Sequence, residues 1–176
     1  MDSTSNTYSE EYIQARIFYE FEKKFLAFFE NIYFFSDKDY ECDTLIFEEK
    51  NKKTICTEFE VKLDHSDFLK DFNKEIKHSN YKKREKCPNY FYYICPPNAI
   101  KKEEVPEYAG LMEVNETKIR ILKRAPLLTE EDIDFKDAYR KAYNKYFEFR
   151  KKDYKKVLKS GPNPRRRRKT YRRKRK

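Results

Sequence analysis

The sequence predicts an α/β domain, and three observations carry that prediction. Ile13, Ile17, Phe21, Phe25, Phe28 and Ile32 recur at three- and four-residue spacing, the apolar stripe of an amphipathic helix. Two runs, 42–48 and 54–63, flank the polar turn Lys50-Asn51-Lys52-Lys53 and read as a hairpin, with Phe59, Val61 and Leu63 alternating with Glu58, Glu60 and Lys62 in the second. Tyr90 to Cys95 is continuously apolar, as in a strand buried on both faces.

Residues 1–8 are polar and expected to be disordered. Ser9 is a plausible N-cap for a first helix running from Glu10 to Tyr33. After the hairpin a helix begins near Ser66 or Asp67, with Phe68, Leu69, Phe72 and Ile76 on one apolar face, and passes into a basic segment, Lys77 to Lys86. Pro96-Pro97 stops the buried strand. A short helical piece near Ala99 to Val105 and two short strands, 110–114 and 118–123, follow. Thr129 caps a C-terminal helix with Glu130, Glu131 and Asp132 in its first turn, where acids favour the helix dipole. Ser160 to Pro164 is a breaker. The expected organisation is a domain over 9–128, a helix over 129–160 packed on or extending from it, and a disordered tail over 161–176.

Composition removes several function classes. The chain has 176 residues but only two glycines, Gly110 and Gly161, so no glycine-rich phosphate loop or dinucleotide fingerprint exists. Cys42, Cys56, Cys87 and Cys95 form no C-x-x-C pair and only His65 and His78 accompany them, which argues against zinc. The polar, acidic N-terminus is no signal peptide, and no apolar run reaches the ~20 residues that span a bilayer. The expectation is an intracellular protein with reduced thiols, not secreted and not membrane-bound; it is cytoplasmic, or nuclear if the basic tail is an address.

Charge is unevenly placed. Residues 161–176 hold ten Lys and Arg and no acid; removing those ten from the total of 41 leaves 31, which equals the 31 acids. The net charge of +10 is therefore a property of the tail. Arg165, Arg166, Arg167, Arg168, Lys169, Arg172 and Arg173 are candidate phosphate contacts, with a nuclear address or an acidic protein partner as the other readings. Lys77, His78, Tyr81, Lys82, Lys83 and Arg84 form a second basic stretch that reads either as a nucleic-acid contact or as a solvated helix end.

The chemistry-bearing residues lie on the hairpin. Glu60 and Lys62 are two apart on a strand and so share a face, about 7 Å apart. A turn centred on Asn51-Lys52 puts Asp43 directly across from Glu60, with β-carbons about 5 Å apart. Two carboxylates so placed repel, and a divalent cation resolves the repulsion; a hard ion that keeps several waters, Mg²⁺ or Mn²⁺, suits oxygen ligands better than Zn²⁺. Glu58 shares the face and is an additional or alternative ligand. Lys62 is then placed to orient or activate water and to offset developing negative charge. Glu-x-Lys on a strand is otherwise common as a solvated pair.

The stretch from Cys42-Asp43 to Glu60-Val61-Lys62 resembles the PD-(D/E)xK nuclease superfamily, the restriction-endonuclease-like fold. Its continuation Ser66-Asp67-Phe68, with Pro88-Asn89-Tyr90 and Val105-Pro106-Glu107-Tyr108-Ala109-Gly110, is similar to the MmcB-like DNA-repair group of bacteria and phages; the resemblance covers about residues 8–128. It implies a core of helix, three-stranded meander, helix and strand, with Asp43 and Glu60 as metal ligands and Lys62 as the catalytic lysine. The superfamily often adds a glutamate from the first helix, for which Glu10 is the candidate and Glu11 the runner-up. The motif's leading proline is replaced by Cys42. The implied activity is Mg²⁺- or Mn²⁺-dependent endo- or exonuclease cleavage, of DNA before RNA, in repair, recombination or phage nucleic-acid processing, by a monomer or homodimer. A non-cleaving nucleic-acid-binding module and an adaptor docking an acidic partner are the competing functions.

Overall fold

The computed structural model describes residues 8–36 and 38–159. The N-terminal tract and the Arg-rich tail, including Arg165 to Arg173, lie outside the described residues. The elements are α1 (Glu10–Phe21), β1 (Phe25–Ile32), β2 (Cys42–Lys50), β3 (Lys53–Val61), α2 (His65–Asp71), α3 (Glu75–Lys83), β4 (Tyr90–Cys95), β5 (Gly110–Val114), β6 (Ile119–Lys123) and α4 (Lys136–Lys159). The six strands form one mixed sheet in sequential order. β4 runs parallel to both of its neighbours, β3 and β5, and the remaining pairings are antiparallel.

The first helix is shorter than its stripe of apolar residues suggests. Ser9 Oγ accepts the Tyr12 N–H and caps α1, but the helix ends at Phe21. Phe25 to Ile32, expected to continue it, is the edge strand β1, whose Phe28 and Phe29 lie opposite Ile46 and Leu45. Aromatic and β-branched residues suit a half-buried strand, and the ladder to β2 overrides their helical spacing. Phe18 packs on Phe25 and Phe28, so the stripe is one apolar surface folded back on itself.

The hairpin turns at Asn51 and Lys52, both with positive φ, as a two-residue turn that matches strand twist requires. The ladder runs from Lys50↔Lys53 to Thr44↔Phe59 without a shift. The alternation splits β3 between two layers. Phe59 and Val61 join Ile13 and Ile17 of α1 with Ile46, Ile94, Met112 and Val114 in the core. Glu58, Glu60 and Lys62 go to the other side, under α2 and α3.

That second layer corrects three expectations. The helix after the hairpin is two helices, because residues 72–74 break it; Phe68 is buried, while Leu69, Phe72 and Ile76 are exposed. The basic stretch is not a solvated helix end throughout, since Lys77 and Tyr81 are fully buried. Leu63, expected in the core, is exposed. Beyond β4, residues 99–105 form turns and no helix.

The C-terminal helix starts at Lys136, later than Thr129. Residues 128–133, in neither helix nor strand, are tied to the hairpin and to Asn89. The Asn89 side chain accepts from Cys56 N and donates to the carbonyls of Thr129 and Glu131, while Thr54 N donates to Asp132 and Ile133 N to the Thr54 carbonyl. The chain divides into two compact units, Met1–Lys141 and Ala142–Lys176, so residues 129–141 belong with the first. The described part of the second is helical and carries exposed Tyr143, Tyr146, Phe147, Phe149 and Tyr154. No helix among the described residues is long and apolar enough to cross a membrane.

Candidate active site

The face of β3 turned toward α2 and α3 carries a buried network of charges. Glu60 is fully buried and accepts from three ammonium groups: Lys62 Nζ on Oε1 at 2.9 Å, Lys74 Nζ on the same oxygen at 2.5 Å, and Lys77 Nζ on Oε2 at 2.5 Å. Lys77 also reaches Glu58 Oε1 at 2.8 Å, and the Tyr81 hydroxyl donates to Glu58 Oε2. Asp71, at the end of α2, pairs with Lys62 at 3.2 Å and Lys74 at 3.0 Å through Oδ1. Its Oδ2 accepts from the Tyr93 hydroxyl at 2.8 Å and lies 3.3 Å from His78 Nε2, whose Nδ1 is 2.7 Å from the Tyr108 hydroxyl. Burying ions costs several kcal/mol each, so a network like this persists only when every charge has close partners.

Asp43 joins from β2. Extended one step past Thr44↔Phe59, the hairpin register puts it opposite Glu60, and its Oδ2 accepts the Val61 N–H at 2.8 Å. Burial, and then the charge of Glu60, push the Asp43 carboxyl up to about 8, with Lys77, Lys62 and the Val61 bond opposing. Burial also raises Glu58. Asp71 behaves oppositely: burial alone would raise it, but His78 and the surrounding ammoniums hold it well below the carboxylate range. For Lys62, burial opposes the charge, yet Glu60 and Asp71 outweigh it and raise the ammonium above its ordinary value.

Asp43, Glu60 and Lys62 are thus gathered on one face, as the hairpin argument expects, and Glu58 lies beside them. Glu10 meets the cluster through Gln14, whose amide bonds both Glu10 and the Asp43 carbonyl. It is exposed, as is Glu11, and its Oε1 sits 3.3 Å from the amide of Gln14. Gln14 is the buried polar side chain of α1, donating to the Asp43 carbonyl at 2.9 Å and to Asn31 Oδ1 at 3.4 Å. Lys82, Lys83 and Arg84 are exposed at the end of α3, outside the buried network. Asp71, Lys74, Lys77 and Tyr93 complete the network, and sequence reasoning does not place them at the site. Only the apolar context of Lys77, between Ile76 and Tyr81 on a helix, hints at an inward lysine.

Four carboxylates, Asp43, Glu58, Glu60 and Asp71, face three ammoniums, Lys62, Lys74 and Lys77. Of the four, Asp43 and Glu58 have carboxyls that burial raises above their ordinary values. Among the described residues no three His, Cys, Asp or Glu side chains form a ready cation cage. Asp43 and Glu60 are neighbouring carboxylates, a donor type that hard ions such as Mg²⁺ take, and both Glu60 oxygens are engaged by ammoniums. All four cysteines are free and buried.

No family model and no curated protein matches the chain. Among solved structures, a protein of unknown function from Silicibacter pomeroyi is similar over 78% of this chain and 84% of its own length, at 16% identity and a TM-score of 0.45.

Proposed function

We propose that the domain is a metal-dependent nuclease of the PD-(D/E)xK type that hydrolyses phosphodiester bonds in DNA. The observation that carries the reading is the Asp43 carboxylate, seated on the Val61 amide beside the Glu60–Lys62 pair. The order of α1, an antiparallel meander β1–β3, α2–α3 and a parallel β4 beside β3 supports a restriction-endonuclease-like core. Asp43 and Glu60 would hold Mg²⁺ or Mn²⁺, which would supply polarisation of a phosphate oxygen and a more acidic water.

Lys62, held by Glu60 at 2.9 Å and Asp71 at 3.2 Å, orients water by donating hydrogen bonds and offsets charge on the phosphoryl oxygens. Asp71 and Glu60 fix its position from two sides. The Arg-rich tail supplies long-range attraction to the polyanion. A second reading, a non-cleaving nucleic-acid-binding module, is favoured by one observation: Glu60 is already engaged by three ammoniums. Incubating the purified protein and its Asp43→Asn and Lys62→Met variants with labelled DNA and RNA structures, with and without Mg²⁺ or Mn²⁺, separates the two. Metal-dependent cleavage that both variants lose supports the nuclease; binding without cleavage at any metal concentration supports the module.

A further inference from the structure

The three ammoniums on Glu60 are not equivalent. Lys77 is fully buried, bonded to both Glu58 and Glu60, and enclosed by the rings of Phe91, Tyr40 and Tyr81 at 4.7, 5.6 and 5.7 Å. The Lys62 side chain is 6% exposed, and its backbone N–H is tied to the Ile94 carbonyl at 3.0 Å. Lys74 is 34% exposed and stands at the break between α2 and α3. Both carboxylate oxygens that it pairs with, Glu60 Oε1 and Asp71 Oδ1, are also paired with Lys62. Its removal therefore strips neither carboxylate of its last partner.

We propose that Lys74 is a displaceable ammonium: it holds the cation position on Glu60, yields it to a divalent ion, and then turns its freed charge to the substrate phosphate. This rests on the nuclease reading above and names a positioning and substrate-contacting residue for it. Lys74 is the most exposed of the three ammoniums, and a divalent ion in its stead brings one more positive charge to the carboxylates around it. The four-carbon stem of a lysine lets the head group leave a buried pair for the site entrance without movement of the backbone. Neither Lys77 nor Lys62 has that freedom.

The test titrates Mn²⁺ calorimetrically into the full-length protein and into Lys74→Met, with Lys74→Gln as a second variant should the first not fold. Affinity for a phosphorothioate duplex is then measured in the presence of Mn²⁺. Removing a like charge within a few ångströms of the ion should tighten Mn²⁺ binding by about tenfold or more. The same change should weaken duplex binding, because one ammonium no longer meets the phosphate. Unchanged or weaker Mn²⁺ binding in the variant, with the wild type binding Mn²⁺, overturns the displacement and leaves the nuclease reading standing. Tighter Mn²⁺ binding with unchanged duplex affinity overturns the phosphate contact. No Mn²⁺ binding by either protein overturns the nuclease reading and this inference together.

Discussion

The Asp43 carboxylate accepts the Val61 N–H at 2.8 Å, so a side chain of β2 replaces a ladder bond at the end of β3. This bond holds Asp43 beside Glu60, where burial and the Glu60 charge raise its carboxyl and make it sensitive to pH. Its folded value is about 8, against an ordinary value of ~3.9 in the unfolded chain. Between those limits the folded state keeps a proton that the unfolded state has released, so stability falls as pH rises from about 4 to about 8. Glu58, also raised, acts in the same direction. Thermal melting without divalent ions should give a lower midpoint at about pH 8 than at about pH 5.5. Asp43→Asn should flatten that slope, and Mn²⁺ should raise the wild-type midpoint more at the higher pH. Equal slopes in wild type and variant would remove Asp43 from the account.

Replacing Lys62 tests its catalytic role separately from its structural one. Lys62→Met leaves Glu60 and Asp71 each one ammonium short, which should cost about 3 kcal/mol of stability. Cleavage should fall by about a hundredfold or more at temperatures where the variant is folded, while Mn²⁺ still binds. Residual activity near the wild-type level, in preparations free of contaminating nuclease, would show that Lys62 is only a structural ion pair.

Gln14, not Glu10, should govern the geometry around Asp43. Gln14→Ala removes a buried donor to the Asp43 carbonyl and should lower stability by about 1–2 kcal/mol and weaken Mn²⁺ binding. Glu10→Ala should leave Mn²⁺ affinity unchanged, because the side chain is exposed and its carboxylate bonds the Gln14 amide at 3.3 Å, which holds the Asp43 carbonyl at 2.9 Å without it. A large loss of metal affinity in Glu10→Ala would restore it as a ligand.

Gly110 opens β5 where two segments press together. A Cβ there would meet Tyr92 Cε1 at 2.4 Å and the backbone nitrogen of Ala125 at 2.6 Å. The ring can turn aside but the backbone must shift, so Gly110→Ala should destabilise by about 1–3 kcal/mol. A variant that melts together with the wild type would show that the 124–125 segment yields freely.

Deleting residues 161–176 removes all the excess positive charge and no proposed catalytic residue. Affinity for an oligonucleotide should drop and its dependence on salt should flatten, by about 0.7–0.9 in slope for each phosphate that the tail no longer neutralises. Cleavage at saturating substrate should persist. An unchanged salt slope would assign the tail to a receptor or to an acidic protein.

The hairpin and the placement of its charged residues are legible in the sequence because they are local. Asn51-Lys52 sets the turn, the turn sets the register, and strand alternation then puts Asp43, Glu60 and Lys62 on one side. The continuous apolar run of β4 is legible for the same reason. Tertiary structure alone decided the rest. Phe25, Phe28 and Ile32 keep a spacing that suits a helix, yet pairing with β2 makes them a strand, and neither Gly nor Pro marks the break after Phe21. Thr129 has the residues of a helix start, but Asn89 and Thr54 capture the following backbone and delay the helix to Lys136. The partners of Glu60 come from residues 2, 14 and 17 positions away, and Gln14 reaches Asp43 across 29. Short-range pattern determines which face a side chain takes; which distant charge meets it there depends on how the layers pack, because a buried ion is stable only where packing delivers its counter-ions.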